Sequence, residues 1–400
     1  MSVTKKRHAR IKNLKTKVVE PKTGENAELV GSPDTMLVIV IACLVIFGIM
    51  AIFSAGAPEG SELYQNPVYF PIKHITAVII GFILLVATSK INYKIWRPWT
   101  IPIAMGATLL TAATLIPGVG RVDYGSARWL FGIQPSEFTK MATILLVSSA
   151  ITNSKSLFSR KMLDHLLIVG IMIVIVLKQP NLSIAVILTM ITVSLLLVGG
   201  ASFRLIGGFG LGSVSLLLIF GVENLMHGYQ MKRITGWLDP WSDPQGIGYN
   251  IIQSLYAIGS GGLFGAGYGM SRQKLFWLPF CYTDFIFAVI CEEFGFIGAV
   301  SLIGLFLAFI YRGFYIANRC TNHFGKLLAF GITFSIAVQA FINIAVATGV
   351  FPVTGVTLPL ISHGGTSIVI TMGMLGILLN ISKKRIKKIQ PQEDHYAHKR

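Results

Sequence analysis

Asp284 is the residue best placed in this chain to do chemistry. It closes a long polar stretch, from about residue 223 to 284, and stands before the apolar run Phe285-Ile286-Phe287-Ala288-Val289-Ile290. Thr283 or Asp284 can cap the helix that begins there, and spacing alone favours that role. Asp284 can equally be a general base held at a membrane surface, and a helix start fixes a side chain well enough for both. Cations are the second ingredient. Arg121, Arg128 and Trp129 share one short polar segment, and Arg272 and Lys274 lie in the long one. A planar guanidinium donates in pairs to phosphate oxygens, so these residues suit an anionic ligand, with lipid headgroup contact as the plainer alternative.

Other candidates carry a structural reading beside the chemical one. Glu137 and Lys140, spaced i, i+3, share a helix face, either as an intramembrane ion pair or as the polar wall of a substrate cavity. Glu292 and Glu293 would lie about 12 Å deeper than Asp284 on a regular helix, too deep to partner it, and a structural role suits them better. Ser362 and His363 follow a segment with Pro352, Gly355 and Pro359, whose irregular backbone needs protein or a water-filled cavity around it. A hydrogen-bonded structural role suits His363 better than that of a base. Asp239 and Asp243 each precede a proline and read as turn residues. The glycine run from Gly259 to Gly269 lacks the strand–turn–helix setting of a nucleotide loop and reads as tight backbone turns. Cys43, Cys281, Cys291 and Cys320 show neither disulfide framework nor metal spacing, and no metal ligands are assigned.

The elements that must position these residues follow from composition. The chain has 400 residues, 53% hydrophobic and only 13% charged, with mean hydropathy +0.67. Repeated apolar runs of about 18–25 residues make it a polytopic membrane protein. Hydrocarbon offers no partners to free amides and the runs do not alternate, so the expected class is all-α. Ten transmembrane helices are predicted, at about 36–54, 68–88, 100–117, 136–152, 164–180, 182–199, 203–222, 285–311, 327–349 and 366–381. Within the long loop, Ile251, Ile252, Leu255 and Ile258 recur at helical spacing and predict a short amphipathic helix at the interface. The net charge is +17. Most of it lies in the N-terminal tail, in alternate loops and in the C-terminal tail, which places both termini inside and the loop of 223–284 outside, between the seventh and eighth spans. Basic residues that flank spans indicate topology and anionic lipid, and nucleic acid is not expected as a partner. No cleavable signal peptide is expected, because the first apolar run follows a long basic tail. The division expected is a basic tail to residue 35, disordered by composition, a membrane domain over 36–382 and a second basic tail over 383–400.

Several segments, in order, resemble the SEDS family, the polytopic proteins of bacterial shape, elongation, division and sporulation. They are Gly125-Ser126-Ala127-Arg128-Trp129-Leu130, Gln134-Pro135-Ser136-Glu137-Phe138-Thr139-Lys140 and Gln179-Pro180-Asn181-Leu182. Asp239-Pro240-Trp241, Gln253-Ser254, Gly261-Gly262-Leu263-Phe264-Gly265 and Gln273-Lys274-Leu275 follow, then Thr283-Asp284-Phe285-Ile286-Phe287, Glu292-Glu293-Phe294-Gly295 and Pro352-Val353-Thr354-Gly355 through Ser362. The resemblance covers about residues 36–382. It implies a peptidoglycan glycosyltransferase that polymerises lipid II onto a growing glycan strand beside a class B penicillin-binding protein (a transpeptidase), in the bacterial cytoplasmic membrane. It also implies that Asp284 is the catalytic residue and that Glu137 and Lys140 match the family's fourth-span pair. Three departures stand out: Phe280, Cys281 and Tyr282 replace a common Glu-Ala-His, Asn181 replaces an aspartate, and Ala127 replaces an arginine. They resemble a cyanobacterial-type variant and leave any second carboxylate or metal role in doubt.

The chemistry expected is inverting sugar transfer with loss of polyprenyl pyrophosphate. Asp284 is then the base, and Arg128, Arg272 and Lys274 are cations for the leaving group, with Mg or Mn able to share that work. Glu137, Lys140, Ser362 and His363 complete the expected substrate-binding set. A division-type role at the septum, among other divisome membrane proteins, is preferred to an elongation-type one. A lipid II flippase, which would need Glu137, Lys140 and Arg128 but not Asp284, and a non-catalytic division scaffold are the alternatives.

Overall fold

In a computed structural model the residues described are 31–123, 126–154, 160–225 and 229–383. The two basic tails lie almost wholly outside them, and so does their expected disorder. Every predicted span coincides with a helix. These are α1 (Thr35–Ala55), α3 (Tyr69–Lys90), α4 (Thr100–Ala113), α5 (Ser136–Asn153), α6 (Arg160–Lys178), α7 (Leu182–Val198), α8 (Phe203–Leu225), α11 (Ile286–Arg319), α12 (His323–Ala347) and α13 (Gly365–Ser382). A short α2 (Ala57–Tyr64) follows α1, and α9 (Tyr229–Leu238) and α10 (Tyr249–Ser260) lie in the long loop. Among the described residues α1, α3, α11, α12 and α13 are long and apolar enough to cross a membrane by length and composition. The protein is a multi-pass membrane protein. Outward-facing Phe82, Ile83, Leu109 and Leu307 are exposed, as lipid-facing side chains must be.

Local chemistry sets the helix ends. Asp34 accepts a bond from Leu37 N at 2.9 Å to cap α1 and pairs with Arg312 on α11. Asn181 accepts from Ile184 N to cap α7, so the asparagine of Gln-Pro-Asn still performs an aspartate's capping task. The helical class has one addition that the sequence did not suggest. An antiparallel hairpin, β1 (Arg121–Asp123) and β2 (Ser126–Trp129), pairs Arg121 with Trp129 and Val122 with Ala127. It carries Arg128 on its second strand.

The expected amphipathic helix is α10, which buries Ile251, Ile252, Ser254 and Ala257. Leu255, expected on the same face, is exposed, while Ser254 donates to Ala347 O of α12 at 2.6 Å. Beyond α10 the glycine run folds back against α11, which breaks at Gly295 (φ 65°, ψ −164°). The break frees backbone groups, and the run takes them. Ala266 and Gly267 N–H donate to Glu292 O at 2.9 Å and Glu293 O at 3.0 Å, while Phe296 and Ile297 N–H donate to Gly262 O at 2.9 Å and Leu263 O at 3.2 Å. A broken helix inside hydrocarbon is tolerable only with such replacements. A Cβ on Gly265 (φ +82°) would stand 2.1 Å from Glu293 O, so only glycine permits this approach.

Candidate active site

The segment ahead of α11 turns sharply at Phe280, whose φ is 58°. Its carbonyl accepts from the N–H groups of Thr283, Asp284 and Phe285 at 3.1, 3.1 and 3.2 Å. This turn corrects the capping expectation. The cap position of α11 belongs to Phe285 and has no side-chain cap, and Thr283 Oγ1 donates to Phe280 O at 3.2 Å. The Asp284 carboxylate is therefore not engaged at the helix start, and among the described residues no hydrogen bond is donated to it. The residue as a whole is half-buried. Burial by the surrounding atoms pushes its pKa up to about 6, against the opposing pull of Arg233 and then Arg128.

Those two guanidiniums arrive from separate elements. Arg233, on α9, donates to Val353 O at 3.2 Å. Arg128 donates to Gln179 O at 3.4 Å and Pro180 O at 2.5 Å, so the hairpin is pinned to the α6–α7 turn. Sequence reasoning picked Arg128 and missed Arg233. Its only sequence signal is a cation in an outer segment; α9, a helix the sequence does not predict, docks on Gly349 through Trp237 and on Val353 through Arg233.

The backbone of Asp284 is held from below. Ser362 Oγ donates to Thr283 O at 2.5 Å and accepts from Leu358 N at 2.7 Å. His363 N–H donates to Tyr282 O at 2.9 Å. The His363 ring packs edge-on to Phe70 at 5.5 Å, and burial together with nearby Lys73 lowers its pKa to about 4, which keeps it neutral. Asn343 Nδ2 donates to Asp284 O at 2.9 Å. Ser362 and Asn343 thus fix the turn segment that presents the carboxylate. The substituted residues Phe280, Cys281 and Tyr282 also fit here: Phe280 makes the turn, Cys281 is buried, and Tyr282 donates to Glu59 Oε1 at 3.1 Å.

The remaining candidates do not converge on Asp284. Lys274 is buried, 2.8 Å from Glu293 Oε1 and 2.6 Å from Ser54 Oγ, so its charge is already matched within the protein. Arg272 is exposed and contributes its backbone N–H to Glu292 Oε1 at 2.8 Å. Glu292 also accepts from Ser271 Oγ and, at 3.3 Å, from Gln273 N. These acids clamp the loop of residues 271–274, as their depth suggested. Glu137 and Lys140 form an ion pair of 2.8 Å.

A family profile described as cell cycle protein, grouping FtsW, RodA and SpoVE, matches residues 34–387. The chain belongs to this family, the SEDS proteins. Among SEDS relatives, the probable peptidoglycan glycosyltransferase FtsW of Trichlorobacter lovleyi is 39% identical over 87% of this chain and 93% of its own length. Stage V sporulation protein E of Bacillus subtilis is 39% identical over 88% of this chain and 97% of its own. The fold is also similar to a chain solved in a study of polymerization and crosslinking by a peptidoglycan synthase complex, with TM-score 0.72 and 28% identity over 89% of this chain and 99% of that one. Thermus thermophilus RodA gives TM-score 0.64 at 25% identity over 88% and 97%.

Proposed function

We propose that this SEDS protein is a peptidoglycan glycosyltransferase that polymerises lipid II, with Asp284 as its general base. The observation that carries this reading is a desolvated carboxylate on a half-buried residue, free of hydrogen bonds from the described residues, with a pKa near 6 and two guanidiniums acting on it. A base poised near neutrality suits proton abstraction from an alcohol. The acceptor's 4-hydroxyl oxygen bonds to the anomeric carbon of the donor as the bond from that carbon to the diphosphate oxygen breaks, with inversion. The hydroxyl proton passes to Asp284, and the electron pair leaves with polyprenyl pyrophosphate. Arg128 and Arg233 stabilise the charge that grows on the diphosphate, which supports a shift of that role from Lys274 to Arg233. Arg272, exposed on the outer loop, remains a contact for the same anion.

A divalent cation is not built into this mechanism. Among the described residues no group of three or more His, Cys, Asp or Glu side chains converges to hold one, and the charges acting on Asp284 are guanidiniums. Mg or Mn would instead enter with the diphosphate. Ten spans with both termini inside put Asp284 at the outer surface, where lipid II headgroups and the growing glycan strand meet. The role read here is septal and division-type, with a class B penicillin-binding protein and other divisome membrane proteins as partners; the relatives named FtsW support it, while the RodA likeness stands for the elongation-type alternative.

Polymerisation of labelled lipid II by the protein with its class B partner tests the reading. Glycan made by the wild type and lost in folded Asp284→Asn supports it. Equal glycan from both would overturn the assignment of the base. A lipid II translocation activity that survives Asp284→Asn, without polymer, would favour the flippase.

A further inference from the structure

The Glu137–Lys140 pair could be a scaffold or the wall of a substrate cavity, and burial decides between them. Lys140 has 0% and Glu137 4% of its surface exposed, so neither offers a face to a ligand. Lys140 instead points across to α12, where its Nζ donates to Gln339 Oε1 at 2.6 Å. Gln339 Nε2 donates to Thr357 O at 3.0 Å. One turn along the same face of α12, Asn343 Nδ2 donates both to Val356 O at 2.7 Å and to Asp284 O at 2.9 Å. Two buried carboxamides therefore grip consecutive carbonyls of residues 356–357, and one of them also holds the backbone of Asp284.

We infer that Gln339 and Asn343 are positioning residues for Asp284, and that the Glu137–Lys140 pair acts on the reaction through them rather than by touching substrate. The inference rests on the proposed role of Asp284. Its physical basis is the one-sidedness of the groups involved. An ammonium only donates, so Lys140 holds the carbonyl end of Gln339 toward itself and turns the NH2 end to Thr357. Glu137 balances that charge, which no water reaches. Asn343 spends its NH2 on two carbonyls and leaves Oδ1 without a hydrogen-bond partner among the described residues. An unsatisfied buried acceptor is costly, and here it accompanies the exact placement of one backbone carbonyl.

The test uses the full-length protein with its class B partner, in lipid II polymerisation measured against substrate concentration and pH. Gln339→Met and Asn343→Leu should each lower kcat roughly 10–100-fold through misplacement of the base, leave KM within about twofold, and move the acid limb of the pH profile. Glu137→Gln with Lys140→Met removes both charges without leaving one unpaired. Combined with Gln339→Met, it should cost no more than the worse of the two alone, because residues of one network are not additive. A raised KM with an unmoved pH profile in the charge-removed variant, or effects that multiply, would overturn the inference. Infrared titration of the Asp284 carboxyl, assigned by its loss in Asp284→Asn, reads the coupling without turnover. A changed midpoint in Asn343→Leu supports the inference, and an unchanged one sinks it even if the chain proves not to be a transferase.

Discussion

Two clusters of acids and cations flank the start of α11, and they are built on opposite plans. Around Glu292 and Glu293 every carboxylate is answered: Lys274, Ser54, Ser271 and backbone N–H groups of residues 271–273 donate to them. Ahead of the helix, Asp284 receives no such donor from the described residues, while Arg233 and Arg128 are steadied by carbonyls of other elements. A closed set of charges rigidifies its surroundings and has no capacity left for a ligand. A carboxylate that the fold desolvates without satisfying is raised toward neutrality and can take a proton. Two acidic sites in one helical neighbourhood are thus told apart by who donates to them, and residue type does not distinguish them.

The largest contrast should come from isosteric amides. Asp284→Asn should lower polymerisation at least about 100-fold while the protein stays monodisperse in detergent, whereas Glu292→Gln should be read mainly in thermal stability. Breaking the closed cluster with Lys274→Met leaves Glu293 buried and unpaired, and should destabilise by about 3–5 kcal/mol in detergent unfolding; adding Glu293→Gln should recover much of that loss. If Lys274→Met instead left stability intact and raised KM for lipid II, the comparison between the two clusters would fail.

Smaller effects sharpen the same contrast. Asp284 works as a base when deprotonated, so the rate should rise with pH through about 6. Arg233 lowers that pKa, and Arg233→Gln should move the acid limb to higher pH and cut the rate about tenfold. The smallest effect concerns stability. The folded pKa of Asp284 lies above its ordinary value, so ionisation above about pH 6 opposes folding and protonation relieves it. Asp284→Asn should therefore be slightly more stable than wild type at pH 8, by on the order of 1 kcal/mol, and the advantage should shrink as pH falls through 6. A less stable variant at pH 8 would show that the carboxylate is satisfied after all.

Much was legible in the sequence because it is local. Each apolar run of span length coincides with a helix, five of them among the described residues long and apolar enough to cross a membrane, while α11 runs on to Arg319, past the predicted 311. The glycine run announces unusual backbone, and the Thr283-Asp284 pair marks the candidate site. Partnership is what the sequence leaves open. Lys274 meets Glu293 and Ser54, and Arg233 reaches Asp284 from α9, pairings with residues far along the chain, while the cap position falls to Phe285 through the local turn at Phe280.

The sequence by itself determined that this chain lies in a membrane as helices, for hydrocarbon forces each apolar segment to satisfy its own amides. Only the tertiary structure decided which charges are closed off and which stay open. Pairing energy in a desolvated interior depends on distances of a few ångströms between elements such as α5, α9, α11 and α12, and no spacing along one chain encodes those distances.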